Sequence, residues 1–180
     1  MKILALLGLL IWFSQPGLGQ VVGKSFPVLS AENIHKRNVN LPTQTMGKFT
    51  LLGLAYSKKA EEDLNTWFRP IHGTFVQKPS GIFADFGYDV NLYFIPMFTG
   101  INTAAAGTAR KKAIKNMDPS LLPYVLFYKG KLEPYKEFLD FEKKDIPYFF
   151  LLDKQGTIIY ATSGRYNAKK LSEIEELIDD

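Results

Sequence analysis

The chain has 180 residues, 46% apolar, 14% aromatic and 22% charged, a balance that excludes intrinsic disorder and suffices for one domain with a buried core. The net charge is +4, and the basic residues come in pairs (Lys58-Lys59, Lys111-Lys112, Lys143-Lys144, Lys169-Lys170) without an aromatic-laced stripe, which reads as solvated helix faces and points away from nucleic acid. Not one cysteine is present, which excludes thiol nucleophiles, thiolate metal sites and redox pairs together.

Lys2 is followed by an apolar run, Ile3 to Phe13, of signal-peptide length and short for a bilayer span. Pro16 then breaks any helix, and Gly17-Leu18-Gly19 puts small residues where a signal peptidase reads. The pattern predicts a signal peptide over residues 1–19, cleavage before Gln20, and an exported domain over 20–180, periplasmic or extracellular. The alternative is a retained anchor or a buried helix. No other segment is apolar enough to cross a membrane, so the processed chain is expected not to span one.

Phe26 to Leu29 and Val39 to Leu41 read as a short strand pair around a polar turn. Phe49 to Tyr56, "FTLLGLAY", is a continuous apolar run, as expected of a strand covered on both faces. Ser57 is a good N-cap for the helix that follows, in which Ala60, Leu64, Trp67, Phe68 and Ile71 share one face. Pro79-Ser80-Gly81 punctuates the next stretch. Tyr88 to Phe98 predicts a second buried strand, with Pro96 marking the end of its ladder.

Asn102 to Met117 predicts a helix, Tyr124 to Tyr128 a short strand, and Leu132 to Leu139 a helix with Pro134 in its first turn. Pro147 to Asp153, "PYFFLLD", predicts a third buried strand, joined through Lys154-Gln155-Gly156 to an antiparallel partner, Thr157 to Thr162. Asn167 caps a last helix. Alternating strands and helices predict one α/β domain: a central mixed, mostly parallel sheet with helices on both faces.

This order resembles the redoxin branch of the thioredoxin-like superfamily, which includes peroxiredoxins and exported thiol reductases. The segment "DIPYFFLLDKQGTIIYATSG" is similar to that branch's proline loop, strand, turn and strand. "PYVLFYKGKLEPYKEF" resembles its strand-helix insertion, and "GKFTLLGLAYS" its opening. The resemblance implies a thioredoxin-like fold and a cis peptide bond at Ile146–Pro147. It also implies a reactive cysteine at the start of the first long helix, where this chain has Ser57-Lys58-Lys59. A serine hydroxyl is not ionised near neutral pH and forms no disulfide, so the redox activity does not carry over. "FFLLDKQGTIIYATSG" and the Trp67-bearing helix also resemble mitochondrial ATP synthase assembly factors of this fold, which implies an assembly or chaperone-like role.

The remaining chemistry is sparse. Ser57 as a nucleophile would need a base, and the histidines are His35 in a loop and His72 at a helix end. Without cysteines those two make a poor copper site, and no cofactor or metal is expected. Asp85, Asp89, Asp140 and Asp145 are scattered, and Glu61, Glu62 and Asp63 suit the helix dipole. Tyr88, Tyr93, Phe94 and Phe98 read as core. The expected site is therefore a partner-binding groove, bordered by Ser57, Lys58, Lys59, Ile146, Pro147 and Tyr148, that holds an extended and acidic segment of a protein. The alternatives are an enzyme of cysteine-independent chemistry and an accessory protein that binds through another face.

Overall fold

The computed structural model describes residues 18–76 and 88–179. Within them, β1 (Leu29–Glu32) and β2 (Asn38–Leu41) form a separate antiparallel pair. The main sheet has five strands: β3 (Phe49–Ala55), β4 (Val90–Thr99), β5 (Tyr128–Gly130), β6 (Tyr148–Leu152) and β7 (Ile158–Ser163). Their order across the sheet is β5-β4-β3-β6-β7. The first three run parallel, and β6 opposes both β3 and β7, so one strand points against the other four.

The helices are α1 (Lys58–Phe75), α2 (Ala106–Asn116), α3 (Glu133–Phe138) and α4 (Ala168–Asp179). Successive residues of β3 face opposite ways, as strand geometry requires. Leu51 packs with Leu64, Trp67, Phe68 and Ile71 of α1 and with Leu171 and Ile174 of α4. Leu52 and Leu54 pack on the other face with Leu29 and Leu41 of the N-terminal pair and with Tyr135 of α3. Both faces of the sheet are thus covered, which explains why β3 and β6 read as unbroken apolar runs.

At Gly53, a Cβ would come within 2.7 Å of the Phe149 ring and 2.8 Å of a Leu64 methyl. The missing side chain lets α1 lie close on the sheet.

Several elements differ from the sequence expectation. Pro96 does not end β4. It pairs with Ala55, the last residue of β3, and beyond it the ladder passes to β5 through Met97, Phe98 and Thr99. A proline lacks only its own donor, so a strand changing partners at that point tolerates one. The helix expected from Asn102 opens as a 3-10 turn over Gly100–Ala105, with no side-chain cap at Thr99, and becomes α-helical at Ala106. The strand expected at Tyr124 is shifted: Leu122–Tyr124 is a 3-10 turn and β5 begins at Tyr128. Val125 and Phe127 make single bridges instead, to Phe94 and Glu32. The apolar run of residues 3–13, Pro79-Ser80-Gly81 and Asp85 lie outside the described residues. No helix among the described residues is long and apolar enough to cross a membrane.

Candidate functional site

The parallel strands β3 and β4 deliver α1 and α2 to the same edge of the sheet, the edge where ligands gather in open α/β folds. Ser57 sits between β3 and α1 in an extended conformation (φ −140°, ψ 160°). Its Oγ accepts the Ala60 N–H at 3.1 Å, the N-cap bond the sequence predicts. The same hydroxyl donates to Asp145 Oδ1 at 2.9 Å. That bond holds the loop before β6 against the start of α1. Lys58 and Lys59 are exposed and Ile146 is half-buried.

Pro147 and Tyr148 depart from expectation. The cis peptide bond among the described residues is Leu41–Pro42, and Ile146–Pro147 is trans. Pro147 leads directly into β6, and its carbonyl accepts the Gly164 N–H at 2.8 Å. That carbonyl is therefore occupied from within the chain. Pro147 is buried, and Tyr148 is 2% exposed. The Tyr148 hydroxyl accepts from the Lys143 N–H at 2.7 Å and donates to the Lys143 carbonyl at 3.0 Å. Its ring stacks against Phe141 and Tyr56. Both residues are thus largely withdrawn from solvent, although Tyr148 still lines the floor of a hollow beside Ile146. Burial beside Tyr148 pushes the Tyr56 hydroxyl up to about 12, so it stays protonated at physiological pH.

The hollow beside Ile146 is shallow, about 180 Å³, and Asp140, Glu142 and Lys143 also line it. Gly164 ties Pro147 to α1 as well, because its carbonyl accepts the Trp67 indole N–H at 3.0 Å.

The other candidates disperse. His35 lies in the β1–β2 turn, while His72 is in the last turn of α1, edge-on to Tyr124. Among the described residues no three His, Asp or Glu side chains gather to hold a metal. Asp89 pairs with Lys48 at 2.6 Å, and Asp63 is buried against Arg165 at 3.1 Å. Phe94 and Phe98 are core, whereas Tyr88 and Tyr93 are half-buried.

Two features went unread in the sequence. Asp145 was grouped with the scattered acids, because its partner Ser57 is far away along the chain. The second is a cleft of about 610 Å³ between α1 and α2. Glu61 lines it, and burial raises the Glu61 carboxyl above its ordinary value against the pull of Lys112.

Solved structures with the same arrangement are numerous. The thioredoxin domain of a thiol-disulfide oxidoreductase from Bacteroides vulgatus matches with a TM-score of 0.56 at 15% identity, covering 87% of this chain and 97% of that one. The fold is thioredoxin-like. Yeast Sco1 matches with a TM-score of 0.54 at 15% identity, covering 86% and 94%. BsSco, a member of the Sco family of cytochrome c oxidase assembly proteins, matches with a TM-score of 0.54 at 12% identity, covering 85% and 91%. No family model and no curated protein matches the sequence. The chain is thus a thioredoxin-like domain, related in fold to Sco and redoxin proteins and devoid of cysteine.

Proposed function

We propose that this chain is an exported, non-redox binding protein that holds a segment of a partner protein on the face where α1 begins. The observation that carries the reading is the state of Ser57. The hydroxyl stands at the helix N-terminus, where a thiol would be activated, and there it donates its proton to Asp145 and caps the helix through the Ala60 N–H. No thiol stands there, and exposed Lys58 and Lys59 flank the position. An assembly role has support from the fold's company, since BsSco is described as belonging to a family of oxidase assembly proteins. The N-terminal pattern of Lys2, Ile3 to Phe13 and Gly17-Leu18-Gly19 supports export.

The test is a charge reversal, Lys58→Glu with Lys59→Glu, set against a control on α3 and the turn before it, Lys131→Glu with Lys136→Glu. All four lysines are exposed, so both doubles should melt within a few degrees of the parent protein. Partners are captured from the exported fraction by cross-linking. Loss of capture in the first double alone supports the proposal. Equal capture by both doubles overturns it.

A further inference from the structure

The cleft between α1 and α2 has a physical cause in α2. The residues that α2 turns toward α1 across the cleft include Ala109 and Ala113, where leucines would close the gap between two helices. The floor is apolar: Leu64, Phe68, Phe98 and Phe127, each at most 8% exposed. Its volume, about 610 Å³, falls in the range of pockets that take small organic ligands.

The rim is polar and ordered by helix spacing. Glu61, Asn65 and Arg69 recur every fourth residue along α1, and Lys112 and Asn116 do the same on α2. The stripe from Glu61 to Arg69 is about 12 Å long at the rise of an α-helix. Among the described residues neither Arg69 nor Lys112 belongs to an ion pair. Asp118, the acid whose charge reaches Arg69, already accepts bonds from the Ser120 backbone and hydroxyl at 3.0 and 2.8 Å. An apolar trough whose rim carries two cations outside any direct ion pair among the described residues, and two side-chain amides, is complementary to a molecule with an apolar body and one anionic head.

We infer that the α1–α2 cleft is a binding site for an anionic amphiphile, a carboxylate carrying a chain or ring system of medium length. The apolar body lies on Leu64, Phe68, Phe98 and Phe127. The carboxylate is held by Arg69, with Asn65 and Asn116 able to donate hydrogen bonds and Lys112 adding attraction at longer range. Glu61 disfavours a second negative charge at the N-terminal end of α1, which fixes the head toward Arg69 and Asn116. This site is separate from the face around Ser57, and neither depends on the other.

The probes are decanoate, decyltrimethylammonium and decyl maltoside, titrated into the whole processed protein by calorimetry and by amide chemical-shift mapping. Decanoate should bind at one site, at least tenfold tighter than the cation or the neutral detergent, with shifts confined to α1, α2, the end of β4 and the segment from Met117 to Phe127 that lines the cleft. Lys112→Glu combined with Arg69→Glu should weaken decanoate at least tenfold. Ala113→Trp, which fills the trough, should abolish binding. Equal binding of all three probes, shifts elsewhere on the molecule, or decanoate binding unchanged in the double charge reversal overturns the inference. The charge reversal lies on the exposed rim, so the test stands even if Ala113→Trp fails to fold.

Discussion

Ser57 Oγ donates a hydrogen bond to Asp145 Oδ1 at 2.9 Å while it caps α1 through the Ala60 N–H at 3.1 Å. One hydroxyl therefore joins the start of the first long helix to the loop that enters β6. Ser57→Ala should lower stability by about 1 kcal/mol, the usual loss for an N-cap. Asp145→Ala should cost less, since Asp145 is exposed. Denaturant titration of both singles and the double checks this. A positive coupling between the two positions is expected, and strict additivity would mean the bond is idle in solution.

Glu32 joins three elements. It accepts from Arg110 of α2 and from Lys129 of β5, the latter at 2.7 Å. The Arg110 side chain is 7% exposed, lies over the Phe127 ring, and has an Nε without a partner among the described residues. Glu32→Gln should cost about 3 kcal/mol, because it strands a buried guanidinium, whereas Lys129→Ala should cost at most about 1 kcal/mol.

The hydrogen bond from Lys129, with Arg110 behind it, holds the Glu32 carboxyl below its ordinary value of 4.5. A carboxylate whose folded value is depressed stabilises the fold above its unfolded value, and that contribution disappears as pH falls through the folded one. Thermal melts should therefore lose stability below about pH 4.5, and the Glu32→Gln protein should lack this part of the acid sensitivity.

Gly53→Ala should destabilise by about 1–3 kcal/mol, as overpacking does in a well-filled core. The added methyl would meet Phe149 and Leu64, neither of which has room to retreat. Pairing with Leu64→Val should recover part of the loss, and a neutral Gly53→Ala would show that α1 sits less tightly than described.

Processed protein should begin near Gln20 by intact mass, since Gly17-Leu18-Gly19 puts small residues where a signal peptidase reads. It should show no peroxidase or disulfide reductase turnover, because no residue of the chain can form a disulfide. An intact Met1 would remove the export reading, and turnover that survives removal of contaminating thiol proteins would remove the non-redox one.

The sheet was legible in the sequence wherever burial on both faces writes an unbroken apolar run, as in Phe49 to Ala55 and Tyr148 to Leu152. So was α1, where Ala60, Leu64, Trp67, Phe68 and Ile71 are all buried. The short β5 was misplaced because Val125 to Phe127 is as apolar as a strand and yet makes only single bridges. At the site, the cap at Ser57 was readable because it is local. The Ser57–Asp145 bond and the α1–α2 cleft were not, since both arise from helices and loops that meet only after the sheet has ordered them. The Ile146–Pro147 bond is trans where the family resemblance implies cis, because the isomer depends on the surrounding fold and not on the proline alone.

The sheet's order also governs how the protein comes into being on the ribosome. β3 is the central strand, flanked by β4 and β6. Thr50 pairs with Leu152, so one side of β3 waits through about a hundred further residues of synthesis for its partner. Until then the nascent chain presents a bare edge of leucines that can pair with any passing strand. Co-translational folding cannot close this domain early. Closure of the sheet therefore waits for the last third of the chain, whatever else has already folded.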